Sequence, residues 1–226
     1  SSVTASDGTV YISFFDMSDT SLKVAKKVEG GWEVTVVDNR DGAGFFNSIA
    51  IPAFSNLPVI AFARSGAAKG LYFAQFDGFT WTVTTIRDQF AGYFCSLALD
   101  TGGVPYIAYQ SLDGPGSNSL HVASYADGVW SDTAVDSSGD TGYHISIAMD
   151  ASGYLHVGYT DRNNLRYARQ TRTGWETRTL VSGRCSGPTN MTFTNNVPAV
   201  VFLYDGKPAY IDATGQRIVI DDGSTP

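Results

Sequence analysis

An all-β fold of five four-stranded antiparallel blades, a five-bladed β-propeller, is predicted for this 226-residue chain by three observations. Ser2-Val3-Thr4, Ser48-Ile49-Ala50, Ser96-Leu97-Ala98, Ser146-Ile147-Ala148 and Asn190-Met191-Thr192 open five copies of one unit, spaced 46, 48, 50 and 44 residues apart. A repeat of that length built from short strands belongs to propellers. Inside the repeat, Leu22/Trp32, Leu71/Trp81, Leu120/Trp130 and Leu165/Trp175 each stand ten residues apart. Each copy also alternates short runs of apolar β-formers with Asp, Asn and Gly, the pattern of strands joined by hairpins.

Blade four shows the unit most plainly. Ser146–Met149 gives strand a, Tyr154–Tyr159 strand b, Leu165–Ala168 strand c, and Trp175–Leu180 strand d. Strand a carries small residues (Ala50, Ala98, Ala148, with Thr4 and Thr192), as crowding around an axis demands. Strand b aligns as Tyr11-Ile12-Ser13-Phe14, Val59-Ile60-Ala61-Phe62, Tyr106-Ile107-Ala108-Tyr109, His156-Val157-Gly158-Tyr159 and Val200-Val201-Phe202-Leu203. A β-branched column beside a mostly aromatic one predicts a strand buried on both faces. The Trp column opens strand d, where a large ring covers the gap between adjacent sheets.

The fifth copy supplies strand b (Val200–Leu203), strand c (Pro208–Ile211) and a shortened strand d (Arg217–Ile220), with Gln216 in place of Trp. Val3-Thr4-Ala5 reads as an orphan strand a. The expected arrangement is therefore one domain, 1–226, in which the N-terminal strand follows Asp221-Asp222-Gly223 in space and closes the last blade.

Composition narrows the function. The 22 acidic against 15 basic residues give a net charge of −7, which repels a phosphate backbone and excludes nucleic acid as the expected partner. No apolar run reaches the roughly 18–20 residues of a membrane helix, so no membrane insertion is expected. The chain starts at Ser1 rather than Met, so a preceding segment is expected either to have been cleaved or to lie outside this sequence. Only three of the acidic residues are Glu, and Gly, Ser, Thr, Asp and Tyr dominate, which suits a secreted, periplasmic or cell-surface protein. Cys95 and Cys185 are compatible with one disulfide or with two free thiols. The three histidines give no zinc spacing and the Asp-rich turns lack the pattern of a calcium loop, so no metal or other cofactor is expected. Asn190-Met191-Thr192 is a glycosylation sequon, expected to be too enclosed for use.

Differences between copies locate the candidate site. From the end of strand b to the Leu of strand c, blades one to four differ: Asp16 to Leu22, Arg64 to Leu71, Ser111 to Leu120, and Asp161 to Leu165. The b–c and d–a loops share one face of the disc, and binding residues concentrate on loops held by a rigid frame. The b–c column reads Asp16, Arg64, Ser111, Asp161 and Asp205. The d–a column reads Phe45-Phe46, Tyr93-Phe94 and Tyr143-His144, giving way to Cys185-Ser186-Gly187-Pro188. Together they predict either a cup of aromatic rings rimmed by carboxylates and one guanidinium, suited to a polar ring-shaped ligand, or a plug of rings packed on one another.

The pattern Ser-Ile-Ala-x-Asp-x-x-Gly, then His-Val-x-Tyr-x-Asp, Leu-x-Tyr-Ala and Gly-x-Trp, from Ser146 to Trp175, resembles repeats of bacterial secreted or surface propeller proteins. In size and blade count the chain also resembles the tachylectin-type five-bladed lectins, without their sugar-site motifs, and the five-bladed furanosidase-type glycoside hydrolases. These resemblances imply a scaffold with a ligand at its mouth. Carbohydrate is the expected partner, with a protein partner as the alternative.

A glycosidase requires two carboxyl groups flanking the bond. Glu29, Glu33 and Glu176 fall in outer hairpins, so hydrolysis would have to use Asp16, Asp161 and Asp205. A lyase would use Tyr143 or His144 as base, with Arg64 on an acidic sugar. The sequence thus favours a non-catalytic, lectin-like binding module, and His121 and His156 are expected inside the sheets.

Overall fold

The structure, a computed structural model, describes residues 1–40, 42–112, 117–212, 215 and 217–220. Every regular element is a strand. Blade one contains β1 (Ser2–Thr4), β2 (Val10–Asp16), β3 (Ser21–Val28) and β4 (Gly31–Asp38); blade two contains β5 (Ala43–Ala50), β6 (Val59–Arg64), β7 (Gly70–Phe76) and β8 (Trp81–Asp88). Blade three follows with β9 (Ala91–Leu99), β10 (Pro105–Leu112), β11 (Asn118–Ala126) and β12 (Val129–Asp136), and blade four with β13 (Tyr143–Met149), β14 (Leu155–Thr160), β15 (Leu165–Thr171) and β16 (Gly174–Val181). Blade five has β17 (Cys185–Thr194), β18 (Val197–Tyr204), β19 (Lys207–Asp212) and a three-residue β20 (Arg217–Val219). Each blade is a simple antiparallel meander.

Local chemistry explains the turns. Asp127-Gly128, Asn195-Asn196 and Asp205-Gly206 all take positive φ at both positions of two-residue hairpins, a conformation open to Gly, Asn and Asp. The a–b turns are closed by a carboxylate: Asp100 accepts the Val104 N–H at 2.8 Å, and Asp150 accepts those of Ser152 and Tyr154 at 2.8 and 2.9 Å.

Neighbouring blades share four apolar cores. Leu22 and Val24 meet Ile60, Phe62 and Tyr72; Leu71 and Phe73 meet Ile107 and Tyr109; Leu120 and Val122 meet Val157 and Tyr159; Leu165 and Tyr167 meet Val200 and Phe202. Trp81, Trp130 and Trp175 each pack against the core that their blade shares with the preceding one, the role the sequence predicts for them. Trp32 has no preceding core and is 46% exposed.

Polar bolts join the inner strands. The hydroxyls of Ser48, Ser96 and Ser146 accept the backbone N–H of Leu97, Ile147 and Met191 in the next blade at 3.1, 3.2 and 2.9 Å, and Ser1 does the same for Ile49 at 3.3 Å. Buried charges add outer ties. Asp38 of β4 receives Arg64 of β6 through Nε at 2.8 Å, with the guanidinium 3.7 Å from the Tyr72 ring centre. Asp136 of β12 receives the Tyr159 hydroxyl at 2.5 Å and Arg166 at 3.0 Å. Burial opposes ionisation of Asp136, but the hydrogen bonds from Ser138 and Tyr159 outweigh it and hold its pKa below the ordinary carboxylate value.

Sheet register corrects the sequence reading at both ends. Val3 pairs with Tyr11, just as Ala50 pairs with Val59, so Val3 rather than Thr4 occupies the small-residue column and Ser1 is the counterpart of Ser48. Met191 pairs with Val200, just as Ile147 pairs with Val157, so β18 aligns as Ala199-Val200-Val201-Phe202. The column of Phe14, Phe62, Tyr109 and Tyr159 is then completed by Phe202, and the b–c column by Tyr204 instead of Asp205. A one-residue slip exchanges the two faces of a strand, which is why burial settles the register.

The expected closure by the N-terminal strand is overturned: β1 pairs with β2 as the inner strand of its own blade. Asp221-Asp222-Gly223 and Gln216 lie outside the described residues. Cys95 and Cys185 are both free and buried. His121 and His156 are buried, as expected, and the Asn190 sequon is exposed rather than enclosed.

Candidate functional site

Each inner strand from blade two to blade four begins with a bulge. The register slips between Phe45 and Ser48, and between Tyr143 and Ser146, and Phe46, Phe94 and His144 adopt φ of 50°, 52° and 51°. Bulky residues rarely occupy this left-handed region, and such strain clusters where a fold presents side chains for use. In blade five the corresponding conformation falls on Gly187, at φ 70°, which carries no side chain. The carbonyls of the strained residues are anchored across blades: Cys95 Sγ donates to Phe46 O at 2.7 Å, and Thr189 Oγ1 donates to His144 O. Burial raises the Cys95 thiol's pKa well above its free value, so it acts as a neutral donor.

These bulges bring the predicted aromatic residues together. Phe46 lies 4.7 Å from Phe94 and 5.6 Å from Tyr93; Phe94 lies 4.9 Å from His144 and 5.6 Å from Tyr143 (ring centroids). Phe45 joins the arc at 6.4 Å from Phe46 and stacks 4.3 Å from Phe15, a member the sequence reading missed. All six predicted rings are partly exposed. The arc is therefore a packed wall with one surface free.

The charged column divides. Arg64 is sealed between Asp38 and Tyr72 and takes no part in the arc's rim. Asp16 accepts Ser18 N–H at 2.9 Å from its own loop and Lys23 Nζ at 2.6 Å from β3 of its own blade. Asp205 pairs at the surface with Arg184 at 3.1 Å. Only Asp161 joins Tyr143 and His144, at a cavity of about 380 Å³ where blades four and five meet, lined also by Thr160, Arg162, Cys185 and Ser186.

This cavity has an organised polar rim. Asp140 accepts the Tyr143 hydroxyl at 2.9 Å, Asn118 Nδ2 at 2.6 Å and the Arg162 Nε–H. Burial works against its ionisation, but these donors prevail and keep its pKa below the usual carboxylate range. Arg162 is thereby held at the mouth with its side chain 73% exposed. Asp161 spends its carboxylate on the N–H groups of Asn163 and Asn164, at 2.9 and 2.8 Å, shaping the b–c loop of blade four. Burial lowers the His144 pKa, leaving a neutral imidazole near pH 7. Arg162 escaped the sequence reading because it follows the column position, although it is the one cation in that loop.

Two further cavities occupy equivalent places in the repeat at the opposite rim. One, about 440 Å³ between blades four and five, is lined by Asp150, His156, Tyr167, Arg169, Glu176 and Arg178. The other, about 460 Å³ between blades two and three, presents Phe54, Phe73, Tyr125 and Trp130. His156 is fixed there by the Tyr167 hydroxyl at Nδ1, 2.5 Å away, and by Asp150 at Nε2, 3.1 Å away. Among the described residues, no group of three or more His, Cys, Asp or Glu is placed to hold a metal ion.

Solved structures decide the fold. A Hadza microbial sialidase, Hz136, superposes with a TM-score of 0.65 over 99% of this chain and 58% of its own, at 14% identity. A lectin from Aleuria aurantia, described as a six-bladed propeller, gives 0.67 over 96% of this chain and 75% of its own, also at 14%. This fold is a β-propeller. An α-L-arabinofuranosidase from Lactobacillus brevis gives 0.58 over 89% of this propeller and 81% of its own chain, at 12% identity. The propeller thus spans just over half the sialidase and about three quarters of the lectin. No protein-family model matches it, and neither does any curated protein. A second structure of the Aleuria lectin contains α-methyl-L-fucoside.

Proposed function

We propose that this propeller binds carbohydrate at the cavity between blades four and five, outside the cell. The reading is carried by one observation: a partly exposed aromatic wall ends at a cavity whose rim presents Arg162, Ser186 and the His144 imidazole. A sugar offers an apolar ring face and hydroxyls that both donate and accept, and such a cavity meets both needs. The likeness to a fucose-binding lectin supports the scaffold. The carboxylates at the rim favour binding over hydrolysis, since Asp140 and Asp161 are already engaged by several donors each and neither is positioned as an unsatisfied acid.

The test is a glycan-array screen followed by titration calorimetry on the hits. Tyr143→Ala and Arg162→Ala should each weaken binding about tenfold or more, in line with about 1.5–3 kcal/mol for a charge-assisted contact. Phe54→Ala and Tyr125→Ala, in the opposite rim, should leave it unchanged. Loss of binding in the second pair with retention in the first would move the site to that rim, and an array without any hit would remove the carbohydrate reading.

A further inference from the structure

Among the described residues, the five blades carry two sheet faces without a neighbouring blade, one at each end of the series, and the internal repeats reveal what belongs on them. In every blade one face of strand b looks back to the preceding blade and the other looks forward. The backward columns, Ile60, Ile107, Val157 and Val200, and Phe62, Tyr109, Tyr159 and Phe202, are at most 1% exposed. Their counterparts in blade one, Ile12 and Phe14, are partly exposed. On the same face Trp32, Val34 and Val36 are 46%, 54% and 50% exposed.

Blade five shows the complementary deficit on its forward face. Leu22, Leu71, Leu120 and Leu165 are fully buried, whereas Pro208 at the same register position is exposed. Ser13, Ala61, Ala108 and Gly158 are buried, whereas Val201 is partly exposed. Asn190 stands where Ser48, Ser96 and Ser146 bolt the next inner strand; it is exposed, and none of the hydrogen bonds of the described residues joins it to another blade. Cores unite blades one to two, two to three, three to four and four to five; among the described residues none unites five to one.

We propose that these two faces receive a sixth four-stranded blade of the same repeat type, carried by the same polypeptide outside residues 1–226. Three considerations select this occupant. The faces continue an interface that recurs four times here, small strand-b residues with strand-c leucines forward and aliphatic or aromatic strand-b residues backward, so what fits between them presents both. A six-bladed ring superposes on 96% of these five blades while leaving a quarter of its own length uncovered, more than the sixth that one blade of such a ring occupies, so a further blade fits with residues to spare. Blade five precedes the gap and blade one follows it in chain order, so a blade in the same polypeptide competes at high effective concentration with any separate molecule.

Trp32 reports directly on the proposal, because a blade in the gap covers it as Trp81, Trp130 and Trp175 are covered. In the 226-residue protein, acrylamide quenching of wild type against Trp32→Phe, together with sedimentation equilibrium, should show a monomer with an accessible Trp32. A monomer with shielded Trp32 would mean that blades one and five close on each other, and a dimer with shielded Trp32 would mean that a second copy fills the face; either overturns the proposal. The same chain extended after Pro226 by a copy of residues 143–184, the most regular repeat, should lose at least half of the Trp32 quenching and melt about 4 °C higher or more. Adding Val201→Arg to the extended chain should abolish both gains. Unchanged Trp32 quenching in the extended chain overturns the proposal, whatever its melting temperature.

Discussion

Ser48, Ser96 and Ser146 recur because each hydroxyl accepts an inner-strand N–H of the following blade. Removing one leaves a half-buried donor unpaired. Ser146→Ala should therefore destabilise the protein by about 1 kcal/mol, read from a chemical denaturation midpoint with unchanged m-value. Histidine gives a pH signature at the same scale. His144 and His156 both have pKa values below 6.5, chiefly because burial disfavours the imidazolium, with Asp150 partly offsetting this for His156. The unfolded chain thus takes up these protons first as pH falls, so stability is full above about 6.5 and declines below it. The urea midpoint should be lower at pH 5.5 than at pH 7.5, and the difference should shrink in His156→Gln; a rising midpoint would contradict the burial argument. Among the functional residues, the aromatic arc was legible because its members recur three and two residues before a fixed Ser. The role of Arg64 was not, because the carboxylate that claims it, Asp38, is 26 residues away and in another blade.

Elements meet at close approaches that repeat. Gly44, Gly92 and Gly142 each have positive φ, and a Cβ on any of them would come within 3.1–3.2 Å of the Cα of Leu22, Leu71 or Leu120 in the preceding blade. Gly92→Ala combines left-handed strain with a clash against backbone, and should cost about 2–4 kcal/mol by thermal or chemical unfolding. The buried Asp38–Arg64 pair is a second inter-blade contact of this kind. Asp38→Ala leaves a guanidinium enclosed without its partner, and a loss of about 3–5 kcal/mol is expected. A variant losing less than 1 kcal/mol would show that Arg64 escapes to water. Strand positions and turns were readable because they rest on alternation and on Asp, Asn and Gly at defined places. The register of the first and last blades was misread by one residue, because the motif's spacing there leaves two alignments open and only the cross-strand pairing separates them.

Across the whole molecule, stability follows the chain of shared cores. Among the described residues, blades two, three and four are covered on both faces, while blades one and five are covered on one, so opening should begin at the ends. Hydrogen exchange should protect the amides of β9 and β13 most and those of β1 and β17 least. Equal protection throughout would indicate that the two end faces are covered in solution. The site lies near one such end, on the blade four to five boundary, so the cavity around Tyr143, His144 and Arg162 is held firmly by blade four and more loosely by Cys185 and Ser186. Arg162→Ala touches an exposed side chain and should change stability by less than about 0.5 kcal/mol while weakening ligand binding, which separates recognition from folding.

The sequence by itself determined the repeat, the four strands of each blade, the turns between them and the columns of rings, since all of these depend on residues close together in the chain. The tertiary structure decided which face each residue turns to, that Arg64 is enclosed while Arg162 is presented, and that β1 belongs to its own blade. Those outcomes depend on packing between segments tens of residues apart, where a shift of one position exchanges interior for surface.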